Sequence, residues 1–166
     1  MKVGSVGRAR SAVLVAAVAV NGMLVGASLD QAIKQLPARH RIGVRAYSGY
    51  SQAADLDNGV AWYGGLGLVA AALALAVAAP ALGFGRERSD RHLRSITAVA
   101  TVGWLVVTAW AAPLSFSQRT ASDTQALTAI FDSFEQLNLL RAGLQLLALA
   151  TLAGTLVLHL AASARR

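Results

Sequence analysis

The sequence predicts an all-α protein: a four-transmembrane-helix bundle with two partly helical extracytoplasmic loops. Three observations predict it. Four apolar blocks, Ser11 to Leu29, Val60 to Phe84, Ile96 to Phe116 and Ala142 to Ala162, each hold the ~20 residues that a helix needs to cross a bilayer. Charge is nearly absent inside them: 55% of the 166 residues are hydrophobic and 14% charged, and the apolar positions run on where a soluble helix would show a stripe. The positive charges between the blocks fall on alternating sides. Residues 1–166 read as a single membrane domain, with spans at about 11–29, 60–84, 96–116 and 142–162 and no internal repeat.

The first block has a basic start and a Val25-Gly26-Ala27 stretch like a signal-peptide cleavage site, but its apolar run is long enough to span. It is expected to be a retained helix. Asp30 and Lys34, at i,i+4 spacing, extend it beyond the lipid to Pro37, its first strong stop. From Ala38 to Gly59, polar residues alternate with Ile42, Val44, Tyr47, Tyr50 and Leu56, the pattern of a short helix lying on the bundle mouth. Asp57-Asn58-Gly59 reads as a turn, and Trp62 and Tyr63 then fall where an aromatic belt begins the second span. Pro80 and Gly83-Phe84-Gly85 end that span, so the second and third helices are an antiparallel pair. The third exits through Trp110 and Pro113. After Ser117 the chain is expected to turn helical again at about Ala126 and to run through Arg141 straight into the fourth span.

Nine basic residues (Lys2, Arg8, Arg10, Arg86, Arg88, Arg91, Arg94, Arg165, Arg166) fall on one side of such a bundle. Six (Lys34, Arg39, Arg41, Arg45, Arg119, Arg141) fall on the other, over longer segments. The positive-inside rule therefore places the protein in the cell membrane with both termini cytoplasmic. It also accounts for the net charge of +7 without nucleic acid, since no aromatic residues interleave with the basic ones. With no cysteine, the chain has neither disulfides nor thiolate chemistry. His40, His92 and His159 lie on separate segments and no Glu-x-x-His pair exists, so no metal centre is expected. The Gly64-Gly65-x-Gly67 cluster lies inside a span and is no nucleotide loop. Gly22 and Gly26 form a small-xxx-small pair, and Gly64, Gly67, Gly103 and Gly154 offer further points of close helix approach.

Polar side chains within spans are costly, so those present are expected to face the protein interior. Asn21 and Ser28 share one face of the first helix. Phe134, Asn138, Arg141 and Gln145, spaced i, i+4, i+7, i+11, share one face of the fourth. Both faces are expected to line one outer cavity, with Asp30, Lys34, Arg45, Asp55, Asp57, Asp132 and Glu135 near the same end. Arg141, at the join of polar approach and apolar span, is the sharpest candidate: its fork suits a carboxylate or phenolate, or else pairs with Asp30 or Glu135. Gln145, one turn deeper, suits an interhelical hydrogen bond.

Asn21-Gly22 through Gly26-Ala27-Ser28-Leu29, Leu36-Pro37-Ala38-Arg39, Tyr47 to Tyr50, Ala111-Ala112-Pro113 and Phe134-x-x-x-Asn138-x-x-Arg141 follow one another in an order that resembles the anthrone-oxygenase-like family of small four-helix membrane proteins. The resemblance covers nearly the whole chain. It implies a hydrophobic pocket for a flat phenolic or quinol-type substrate, oxidised by molecular oxygen without a cofactor. Asn138 stands where that family carries a histidine, Ala112 where it carries an arginine and Ser115 where it carries an asparagine. An amide is no general base. On this reading Asp30 or Glu135 is the base, Arg141 or Lys34 the cation that steadies the anion, and Asn21, Tyr63, Trp110, Asn138 and Gln145 shape the substrate site. The alternative is a non-catalytic membrane subunit or lipid- or small-molecule-binding protein. The partners expected are the bilayer, a hydrophobic aromatic small molecule, and a second copy or another membrane protein on the glycine face.

Overall fold

The computed structural model describes residues 3–79, 88–121 and 123–165, with the side chains of 3–6 and 88–89 also outside the description. Pro80, the Gly83-Phe84-Gly85 stop, and Lys2, Arg86 and Arg166 of the basic set lie outside the described residues. All described elements are helical: α1 (Val3–Asp30), α2 (Leu36–Ile42), α3 (Val44–Ala54), α4 (Gly65–Ala78), α5 (Arg88–Ser117) and α6 (Thr124–Ala164). Four helical runs are long and apolar enough to cross a membrane: Gly7–Ile42, Val60–Ala78, Asp90–Ser117 and Thr124–Ala164. Their outward faces carry residues such as Met23, Val99, Val157 and Leu160, each at least half exposed, as a bundle immersed in lipid requires.

Pro37 does not end its helix as the sequence suggested. Before Pro37 the chain makes one π-helical turn, Gln31–Gln35, closed by the Leu36 N–H donating to Gln31 O. That wider turn makes room for the proline ring, which would collide with the carbonyl four residues back in a regular α-helix. The helix resumes as α2 and stops at Gly43, whose φ of +86° no β-carbon tolerates well. Pro113 likewise lies inside α5, which continues to Ser117. One lost N–H is tolerable there because fully buried Ala111 clamps this stretch against Phe131 and Phe134 of α6.

α3 is followed by a tight turn over residues 55–58, in which Leu56 and Asp57 both adopt positive φ, and by a second π turn, Val60–Gly64, before α4. α6 begins at Thr124 because the Asp123 side chain caps it, accepting from Ala126 N at 2.7 Å. At 41 residues it is ~60 Å long, twice the depth of a hydrocarbon layer.

Three apolar clusters stack along the bundle. Leu14, Ala17, Ala74, Val77 and Leu152 fill one end; Leu24, Ala70, Ala71 and Trp104 fill the middle; Leu36, Tyr47, Ala111, Leu127, Phe131 and Phe134 fill the other. Two polar ties cross the apolar part. Asn21 Nδ2 donates to Ala70 O on α4 at 3.1 Å, and the Thr97 and Thr151 hydroxyls meet at 2.7 Å between α5 and α6. The close approaches lie at Gly103 and Gly154, where a β-carbon would come within 3.3 Å of Leu144 and Leu93. Gly22, Gly26 and Gly64 face open space, so the expected tight contact on α1 is not made within the bundle.

Candidate functional site

The face of α6 that carries Phe134, Asn138, Arg141 and Gln145 turns inward, and all but Arg141 are at least nine-tenths buried. With α1, α4 and α5 it encloses a cavity of about 380 Å³. Ser28 and Leu24 of α1, Trp104 of α5 and Phe134 and Gln145 of α6 form the buried floor. Val60, Tyr63 and Leu68 beside α4 and Phe116 on α5 form an exposed rim. Both π turns contribute: Gln31 and Gln35 from one, Val60, Tyr63 and Gly64 from the other. Such turns widen a helix and free side chains from its regular spacing, which is why they recur at binding sites.

Arg141 lines this cavity and, among the described residues, meets no carboxylate. Its Nη2 donates to Gln31 Oε1 at 3.0 Å and to Asn138 Oδ1, while its buried Nε has no partner. The expected pairing with Asp30 or Glu135 is replaced by two amides, which orient the guanidinium without neutralising it. Trp104 Nε1 and Gln145 Oε1, also on the cavity wall, are buried and unpartnered, as is Asn138 Nδ2 behind the arginine. The interhelical bond expected of Gln145 is thus not made through its oxygen. Unpaired buried polar atoms cost about 1–3 kcal/mol each, so four around one apolar hollow mark a place shaped for something polar.

The carboxylates expected at the site are engaged elsewhere. Asp30 is half exposed, accepts from Gln35 Nε2 at 2.6 Å and stands 3.9 Å from Lys34 on the outside of the helix. Glu135 belongs to a second cluster, in which the Arg39 guanidinium, 4% exposed, reaches Glu135 Oε2 at 2.6 Å and Asp132 Oδ1 at 2.8 Å, with Nη1 donating to Leu36 O at 3.0 Å. This cluster ties α2 to the first half of α6. Tyr47 of α3 packs edge-on against Phe131 beside it, ring centroids 5.0 Å apart, and burial pushes its phenol up against the opposing pull of Arg39. Asn21 lies outside the cavity lining, bonded to Ala17 O and Ala70 O, and Trp110 is 65% exposed on the bundle's exterior. Of the predicted set, therefore, Arg141, Gln145 and Tyr63 face the cavity, and Asn138 supports it through Arg141.

Three contributors escaped the sequence reading: Trp104, Gln31 and Arg119. Trp104 carried a usable signal, since Thr97, Thr101, Trp104 and Thr108 share i, i+4, i+7, i+11 spacing on one face of the third span. Asp55 lines the cavity and accepts from Arg119 Nη2 at 2.8 Å, joining the turn before α4 to the turn after α5. A β-carbon at 59 would sit 1.9 Å from Asp55 Oδ1, so a larger residue there would displace that carboxylate.

At the opposite end, the His159 ring lies 3.1 Å from the Ser11 hydroxyl. Among the described residues no three His, Asp or Glu side chains gather closely enough to hold a metal ion. Comparison with protein-family models, curated proteins and solved structures finds no match to this chain, so the cavity's own chemistry is the guide to its use.

Proposed function

We propose that this chain is a multi-pass membrane protein that binds an amphipathic small molecule in the cavity between its helices, with Arg141 as the anchor for an anionic oxygen. The observation that carries this reading is the guanidinium that lines an apolar hollow with two amide contacts and no carboxylate. An isolated buried cation is strongly disfavoured, and a bound anion supplies the missing charge. The six basic residues on the cavity's side of the bundle against nine on the other argue that it opens toward the extracytoplasmic half of the cell membrane.

Oxygenation of a flat phenol, the activity that the resemblance to anthrone oxygenases implies, needs a base against the substrate as well as a cation. Among the described residues, the one carboxylate that lines the cavity, Asp55, is held by Arg119. Binding is therefore the better-supported function. The test is titration of purified protein with 9-anthracenecarboxylate and with its uncharged methyl ester. The acid is expected to bind at least tenfold more tightly than the ester, and Arg141→Gln to abolish the difference. Equal affinity of wild-type protein for both would reject the anchor, and oxygen uptake on an anthrone that is lost in Arg141→Gln would restore the enzyme.

A further inference from the structure

Resting on the binding role of Arg141, the arrangement of floor, rim and mouth says more about the occupant. We infer that it is a single-chain lipid carboxylate, of the free-fatty-acid class, which enters sideways from the bilayer between α4 and α5 and lies with its head inward.

The charge argues for a monoanion. One guanidinium lacks a counter-charge, and two N–H groups of residues that line the cavity, Arg141 Nε and Trp104 Nε1, lack acceptors. A carboxylate brings one negative charge and two oxygens to satisfy them. A phosphate dianion would leave a surplus negative charge in the same apolar surroundings. The volume argues for one chain: about 380 Å³ lies near the small end of the ~300–1,000 Å³ typical of sites for one small ligand.

The route follows from what surrounds the cavity. α1 and α6 close its back with buried residues, Leu24, Ser28, Phe134 and Gln145 among them. Toward the connecting turns, Asp55 and Arg119 bridge the gap at 2.8 Å. The remaining side runs between α4 and α5, where the rim residues Val60, Tyr63, Leu68 and Phe116 are 64%, 57%, 69% and 46% exposed. These are apolar side chains on the face of a membrane bundle, suited to an acyl tail that continues into lipid.

Trp104 provides an internal reporter. The chain has three tryptophans, and Trp62 and Trp110 are exposed, so Trp62→Phe with Trp110→Phe leaves the buried Trp104 as the sole tryptophan. In nanodiscs, a fatty acid brominated next to its carboxylate is expected to quench Trp104 saturably, and one brominated at the tail end to quench it at least threefold less. Arg141→Gln is expected to raise the half-saturating concentration at least tenfold, with Arg141→Lys, which keeps the charge, intermediate and serving as the control for folding. Greater quenching by the tail bromine would overturn the head-in orientation. Quenching by brominated phospholipid as strong as by the fatty acid, or quenching indifferent to both Arg141 variants, would overturn the site. If 9-anthracenecarboxylate binds through Arg141 while brominated fatty acids leave Trp104 unquenched, the lipid assignment falls and the binding function stands. If neither binds, both fall.

Discussion

A guanidinium among hydrocarbon side chains imposes its needs on every neighbour, and Arg141 is surrounded by residues that meet them only in part. Gln31 and Asn138 accept from Nη2, leaving Nε unmet. One turn further along α6, Gln145 shows the same incompleteness in an uncharged group: it is 2% exposed and its Oε1 is unpaired. Replacing it by leucine removes an acceptor that costs about 1–3 kcal/mol when buried unsatisfied. Gln145→Leu is therefore expected to stabilise the ligand-free protein by ~1 kcal/mol, read as a rise in Tm in detergent; a fall would mean that the amide holds the bundle together. Both residues stood out in the sequence, because polar side chains are rare in the spans and these share a helical face. Gln31 did not, and Asp55 stood out only as one of several charged residues near the mouth, since a polar residue in a connecting segment looks the same whether it faces solvent or a cavity. Only the turns that carry these two decide which.

Those turns act at the level of the helix. Along the run Gly7–Ile42 the buried positions include Leu14, Ala17, Asn21, Leu24 and Ser28, then Ala32, Leu36 and Arg39. From Ser28 to Leu36 is eight residues, ~80° beyond two full turns of an α-helix, so a regular helix would swing Arg39 off α6. The π turn at Gln31–Gln35 absorbs the excess and keeps Arg39 against Asp132 and Glu135. Removing one residue from it gives a plain α-helix in nearly the same phase. Deletion of Ile33, which is 68% exposed, is thus expected to leave a folded protein with the Arg39 cluster intact. Deletion of Ala19, in the regular part, rotates all that follows by ~100° and is expected to abolish folding. Recovery of monodisperse protein from the two deletions, compared by gel filtration, checks this; equal recovery would show that the wide turn sets no register. Reading Pro37 as a stop overlooked this freedom. Proline forbids its own N–H bond, and a helix held by its neighbours can forgo one.

For the molecule as a whole, the four spans were legible because apolarity over ~20 residues is a bulk property that needs no partner to be recognised. The cavity depends on which faces of four helices meet, and there Arg141, Gln145 and Tyr63 were legible, whereas the carboxylates Asp30 and Glu135 were assigned to a site they do not line. The inferred orientation is directly testable, because the chain has no cysteine to interfere. Thr128 and Ser163, both exposed, lie near opposite ends of α6. With a membrane-impermeant maleimide, Thr128→Cys is expected to react in intact cells and Ser163→Cys only after permeabilisation, and the reverse pattern would invert the topology. The length of α6 has a mechanical consequence as well. From Arg141 to Thr124 it reaches ~26 Å past the cavity as one uninterrupted rod. A 10° tilt about Arg141 displaces its tip by ~5 Å. Arg45 of α3 grips that tip through a 2.7 Å bond to Thr124, and Arg39 grips it midway, so the lever cannot swing without carrying α2 and α3 along. Whatever shifts the helix axis beside the cavity is thereby transmitted, enlarged, to the far end of the molecule.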